Sequence, residues 1–162
     1  MATPTYTLID STVLGSAASS VTFSGISATG KGDLVLVVDS SGSNNFADSY
    51  VRFNSDTGNN YSAVYMRGNG STGDSGQTTR AEIQMDAYML TGQRANGILQ
   101  IMDFAESKHK TTLGRGNAPT SLVYARAGRW ANTAAITSIE VRASTGTYDS
   151  GSSFYLYQIV SE

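Results

Sequence analysis

An all-β fold is predicted for this chain: a jelly-roll-like β-sandwich of about 8–10 antiparallel strands, forming a single domain over residues 1–162. Three observations predict it. Short runs alternate apolar and polar residues along the whole chain, and period two marks a strand with one buried face. Turn residues interrupt these runs at short intervals, the spacing of a sandwich or barrel. Only 15% of the residues are charged while Ser, Thr and Gly abound, a mix suited to strands and tight turns rather than to a helical enzyme.

Tyr6 to Asp10 is a short apolar run stopped by Asp10-Ser11, and Val21-Thr22-Phe23 follows before a Ser24-Gly25 break. Leu34 to Val38 is five aliphatic residues between Asp33 and Asp39. A run apolar on both faces predicts a strand covered on both sides, at the centre of a sheet. In Tyr50 to Asn54, Val51 and Phe53 point one way and Tyr50, Arg52 and Asn54 the other. The polar stretch Asn54 to Asn60 reads as a turn, with Tyr61 to Met66 the returning strand of a hairpin. Gly68 to Gly76 reads as a flexible loop.

Arg80 to Met89 alternates over ten positions and predicts a strand, although its helix formers and the spacing of Ile83, Ala87 and Leu90 also suit a helix. Ile98 to Phe104 is the next strand. Lys108 to Leu113 carries charges that predict an edge or exposed strand. Leu122 to Arg126 alternates and leads to Gly128-Arg129-Trp130. Ile136 to Ala143 has the cleanest pattern, with Ile139 and Val141 facing in and Ser138, Glu140 and Arg142 facing out. Phe154 to Val160 has large residues on both faces and predicts a buried closing strand. No fixed-period motif divides the chain into repeats.

Composition excludes several classes. The absence of cysteine removes disulfides and thiolate metal sites. Eleven basic residues spread evenly against thirteen acidic ones give a net charge of -2 and no field for nucleic acid. The start, Met1 to Thr7, has neither the basic nor the apolar region of a signal peptide, and the longest apolar run is too short for a bilayer. Without secretion, the sequons Asn60-Tyr61-Ser62 and Asn69-Gly70-Ser71 would meet no glycosylating enzyme.

No catalytic residue, metal ligand or cofactor is assigned. His109, the single histidine, lies between two lysines, and no Gly-x-Ser-x-Gly elbow occurs to supply it with a nucleophile. Most acids sit in turns; Glu82, Asp86 and Glu140 lie on polar strand faces, where a pair of carboxylates could meet as in a glycoside hydrolase. Asn54-x-Asp56-x-Gly58-x-Asn60 has oxygen ligands at alternate positions but lacks the closing glutamate of a calcium loop, so a plain turn is expected. The glycine loop Gly68 to Gly73 lacks the lysine of a phosphate loop. Tyr50, Tyr61, Tyr65, Tyr88 and Trp130 are candidates for stacking sugars, or for a subunit interface. Phe46, apolar in a polar loop, and Arg129 with Trp130 at a strand end are the candidate interface residues, since aromatics and arginines are the usual anchors, with Trp130 capping the sandwich core as the equal alternative.

Four stretches together resemble a family encoded among the structural genes of tailed bacteriophages, especially phages of aquatic bacteria. They are Gly30 to Val38, Val51 to Ser62, Gly128 to Trp130 with Ala134 to Val141, and Gly151 to Tyr157. The block Arg52-Phe53-Asn54-Ser55-Asp56-Thr57-Gly58-Asn59-Asn60-Tyr61-Ser62 is the most specific. Gly30-Lys31-Gly32 departs from the family, which has a bulkier, aromatic-containing linker there. The resemblance implies a virion component made in the host cytoplasm. A capsid decoration (cement) protein is expected, a homo-oligomer, most often a trimer, bound to the major capsid protein. A tail-tip or fibre domain that binds host-surface carbohydrate is the alternative.

Overall fold

The jelly roll is legible in how the strands pair. The computed structural model describes residues 5–27, 32–120 and 122–160. Among these residues there are twelve strands, where about ten were predicted, and no helix long and apolar enough to cross a membrane. The strands are β1 (Tyr6–Val13), β2 (Ser20–Ser24), β3 (Gly32–Ser40), β4 (Ser49–Phe53), β5 (Tyr61–Gly68) and β6 (Gly73–Arg80), then β7 (Ile83–Gln84), β8 (Ala95–Ile101), β9 (Lys110–Ala118), β10 (Leu122–Trp130), β11 (Ser138–Ala143) and β12 (Ser153–Val160). An eight-stranded sheet has the order β1-β12-β3-β8-β9-β10-β5-β6, and a four-stranded sheet has the order β2-β11-β4-β7.

The chain's first strands pair with its last, all antiparallel: β1 with β12, β2 with β11, β3 with β8 and β4 with β7. This is one long ribbon wrapped into two layers, the plan of a jelly roll. Two inserted hairpins, β5–β6 and β9–β10, extend the larger sheet beyond β8.

Alternation places the core between the sheets. Leu34, Leu36 and Val38 of β3, Leu99 and Ile101 of β8, and Phe154 and Leu156 of β12 point inward and are buried. They meet Val51 and Phe53 of β4 and Ile139 and Val141 of β11 in one core cluster. Each such side chain contributes about 1.5–3 kcal/mol on burial. The inward pair Ile139 and Val141 is the one predicted from the sequence.

Four local expectations are corrected. Tyr50–Asn54 and Tyr61–Met66 do not form a hairpin, because β4 and β5 belong to different sheets. The turn between them is an arch from one layer to the other, with Asn54 and Ser55 in left-handed conformations. Gly68–Gly76 is mostly strand: β5 and β6 close a tight hairpin in which Asn69 Oδ1 accepts hydrogen bonds from the N–H groups of Ser71 and Thr72. Arg80–Met89 yields only the two-residue β7, and the rest is irregular chain pressed beneath the larger sheet. Lys108–Leu113 leads into β9, which lies inside the sheet between β8 and β10, not at an edge. Gly30 and Lys31 of the predicted linker lie outside the described residues.

Candidate functional site: the outer face of the eight-stranded sheet

The two outer faces of the sandwich differ in chemistry. On the small sheet, Arg52 reaches Glu82 at 3.1 Å and Glu140 at 3.0 Å, and Arg142 reaches Glu82 at 2.6 Å. Tyr50 lies under Arg80 and Arg142. Glu82 and Glu140 do meet, as the sequence allowed, but with Arg52 between them. Arg52, Arg142, Glu82 and Glu140 thus pair among themselves on this face.

The large sheet is the opposite. Pairing register aligns its outward residues in rows running across the strands. One row holds Tyr157, Val35, Gln100, Leu113, Ala127 and Val64. The next holds Tyr155, Val37, Ile98, Arg115, Ala125 and Met66. Among the described residues only Val35 of these rows is buried, and the others are half-buried or exposed. Val64 is 56% exposed, Met66 63%, Leu113 56% and, one row further on, Val123 66%. Side chains pointing from a strand's second face have no core to enter, and on β3 and β12 these are Val35, Val37, Tyr155 and Tyr157. The expectation that Leu34–Val38 is covered on both sides holds in part: Leu34, Leu36 and Val38 are buried on the inner face and Val35 on the outer, while Val37 is half-buried. A concavity of about 560 Å³ opens on this face, lined in part by Tyr6, Val35, Ile98, Leu113, Arg115 and Tyr157. The Tyr155 and Tyr157 rings stack beside it with centroids 6.4 Å apart.

Two cations stand on this face, Arg115 and Arg129, both exposed and without an ion pair among the described residues. Arg129 is thus where the sequence placed it, on a surface. Phe46 is 58% exposed, but it sits in the β3–β4 loop with a left-handed backbone, away from the sheet face. Trp130 is corrected: it is fully buried and presents no surface. Its ring packs edge-on against Phe53 at 5.5 Å, and its Nε1 donates to Asp56 Oδ2 at 2.7 Å.

Asp56 also accepts from the Gly58 N–H and the Asn60 side-chain amide. Burial pushes its carboxyl upward, but these bonds outweigh it and hold it below the usual carboxylate range. The calcium-like spacing thus folds as a turn pinned to a core tryptophan. Tyr61 is buried with its hydroxyl on the Phe53 backbone, so it offers no ring to a sugar. Tyr50, Tyr65 and Tyr88 are half-buried. His109 is exposed in the turn before β9.

A polar cluster lies inside the sandwich, and the sequence signalled only one member of it, Asp86. Arg126 of β10 points inward and pairs with Asp86, while its Nη2 also donates to Gln84 Oε1 at 3.2 Å. Burial alone would lower the Arg126 pKa, but the Asp86 carboxylate raises it on balance. Asp48 is buried nearby, and burial, with Asp86 adding repulsion, pushes its carboxyl up to about 8. Lys110 is buried too, with Nζ donating to the carbonyls of Glu106 and Lys108, each at 2.6 Å. These groups are enclosed between the layers and serve the fold.

No protein-family model matches the chain, and no curated protein matches it.

Proposed function

We propose that the protein is a structural component of a tailed-bacteriophage virion, a capsid decoration (cement) protein that binds the major capsid protein as a homo-oligomer. The observation that carries this reading is the contrast between faces: a charged face paired with itself, and an apolar face across the larger sheet left without a partner. Apolar patches of this extent mark surfaces made to be covered. The resemblance of Val51 to Ser62 and its companion stretches to phage structural proteins supplies the setting, and it implies three copies at three-fold lattice positions. The protein would be made in the host cytoplasm and act in the virion. Its mechanism needs no reacting group. Binding the assembled shell and not its dissociated subunits stabilises the shell by linkage.

The test is co-sedimentation with expanded capsids, followed by imaging of particles carrying labelled protein. Density on the shell supports the reading. Protein that ignores capsids at micromolar concentration, or that sits on the tail, overturns it.

One observation favours a second reading, a tail-tip or fibre domain that binds host-surface carbohydrate. The stacked Tyr155 and Tyr157 border the concavity, with Gln100 and Arg115 offering hydrogen bonds there. A glycan array read with Tyr157→Ala separates the two, since only a sugar-binding domain loses array signal.

A further inference from the structure

We infer that the outer face of the eight-stranded sheet is the site where a second copy of this chain docks, face to face, about a two-fold axis. The axis runs parallel to the strands, between β8 and β9. The inference deepens the assembly part of the proposed function and rests on it, but it replaces three copies by two.

Size is the first argument. Neighbouring strands are about 4.8 Å apart and alternate residues about 6.8 Å apart, so eight strands by four rows cover about 38 by 27 Å, or roughly 1,000 Å². A stable interface needs about 800 Å² from each partner. The edges are poor alternatives. β6 is polar along its length, and β1 carries a register shift between Leu8 and Asp10 that disrupts its free edge.

Charge gives the second argument and sets the symmetry. Asp33 of β3 and Arg129 of β10 stand in the same cross-strand row, since Met102 bonds to Thr111 and Thr111 faces Arg129. Within one chain they are three strands, about 14 Å, apart. A two-fold axis between β8 and β9 exchanges the positions of β3 and β10. It brings each Arg129 over the facing Asp33, which accepts hydrogen bonds from Gln100 and the Asp103 N–H but has no ion pair among the described residues. That axis is also the midline of the eight strands, so the faces overlap fully.

Shape gives the third. The same operation lays the tyrosines of β12 over Val64 and Met66 of β5, and the valines of β3 over Ala125 and Ala127 of β10. Large side chains meet small or flexible ones throughout. Three copies cannot each cover this one face, whereas two can, and a self-complementary patch is what two-fold symmetry requires.

The test starts from the purified chain, without capsids, by sedimentation equilibrium at micromolar concentration. A dimer is expected. Arg129→Asp and Met66→Lys are expected to weaken it by about 30-fold or more, with thermal melts showing that each variant still folds. Val64→Cys with Tyr157→Cys gives a second readout. The two positions are five strands, about 24 Å, apart in one chain, and facing sheets stand about 10 Å apart, too far for a disulfide, so a short bis-maleimide joins them only across the two-fold. A monomer, a trimer, or a dimer unaffected by both substitutions and yielding no cross-link overturns the inference. The capsid reading fails separately, by loss of co-sedimentation from a protein that still dimerises.

Discussion

The Arg126 guanidinium holds the Asp86 carboxylate through two parallel hydrogen bonds inside the sandwich, Nε to Oδ2 at 2.6 Å and Nη2 to Oδ1 at 2.7 Å. Both side chains are almost wholly buried. The pair is therefore costly to break, because removing one charge leaves the other unpaired in a dry interior. Asp86 also has a left-handed backbone, which asparagine tolerates. Asp86→Asn thus isolates the charge, and it is expected to lower unfolding free energy by about 3 kcal/mol. Adding Arg126→Met should cost less than the sum of the two single changes. Urea denaturation of the four proteins measures the coupling.

Asp48 gives the fold a pH dependence with a definite sign. Its carboxyl is raised to about 8 in the folded protein, first by burial and then by the Asp86 charge. The folded state holds this proton over a range where the unfolded chain has released it. Its contribution to stability is full below about pH 4 and is lost as the pH rises toward 8, at up to about 1.4 kcal/mol per pH unit. Asp48→Asn keeps an acceptor for the Ser49 N–H that now bonds Oδ1. Denaturation midpoints from pH 5 to 8, a window bounded by that slope, should fall for the parent protein and fall less for the variant.

Much of the layer plan was legible in the sequence, because period two reports which side of a strand is buried. Ile139 and Val141 alternate with Glu140 and Arg142, and the structure sorts them as the pattern requires. Pairing partners were not legible. β4 and β5 look like a hairpin locally, yet β4 pairs with β7 and β11 while β5 pairs with β6 and β10. That choice is made by contacts distant in sequence. The outer face left a faint signal: Val35 and Val37, like Tyr155 and Tyr157, are apolar residues on a strand's second face. Reading the whole face as covered by the chain itself hid the surface. Trp130 was open to two readings, interface or core cap, and the structure shows the core cap, held by Asp56, a partner far away in sequence.

Lys110 shows why charge misplaced β9. Three charged or basic residues in a row suggest an edge or exposed strand, but the Lys110 ammonium is turned inward and donates to the backbone carbonyls of Glu106 and Lys108. Lys110→Met keeps the length and removes the donors. A loss of about 2–3 kcal/mol is expected from the two charge-assisted hydrogen bonds removed, read as a lower denaturation midpoint with unchanged slope.

Gly116 is a test of close approach. The loop after β7 passes so near the inner side of β9 that a Cβ at this position would overlap the Asp86 carbonyl, a backbone atom with little room to move. Gly116→Ala is expected to cost about 1–3 kcal/mol. Gly114→Ala, whose Cβ would meet the flexible end of Leu99 at 3.2 Å, should cost less. Thermal melts of the two variants rank them, and the reverse order would show that the loop yields more readily than Leu99 does.

Melting temperature should also report on the apolar face. A dimer that forms only from folded chains makes stability depend on protein concentration. A hundredfold rise in concentration should raise Tm by roughly 3–5 °C for a chain of this length. Val64 and Met66 are more than half exposed in the single chain, so replacing both by Lys removes little of the core. The double variant should melt near the parent's dilute limit, at one temperature across the concentration series. A parent protein whose Tm is equally flat would mean that the face stays open to solvent, because a covered face must respond to mass action.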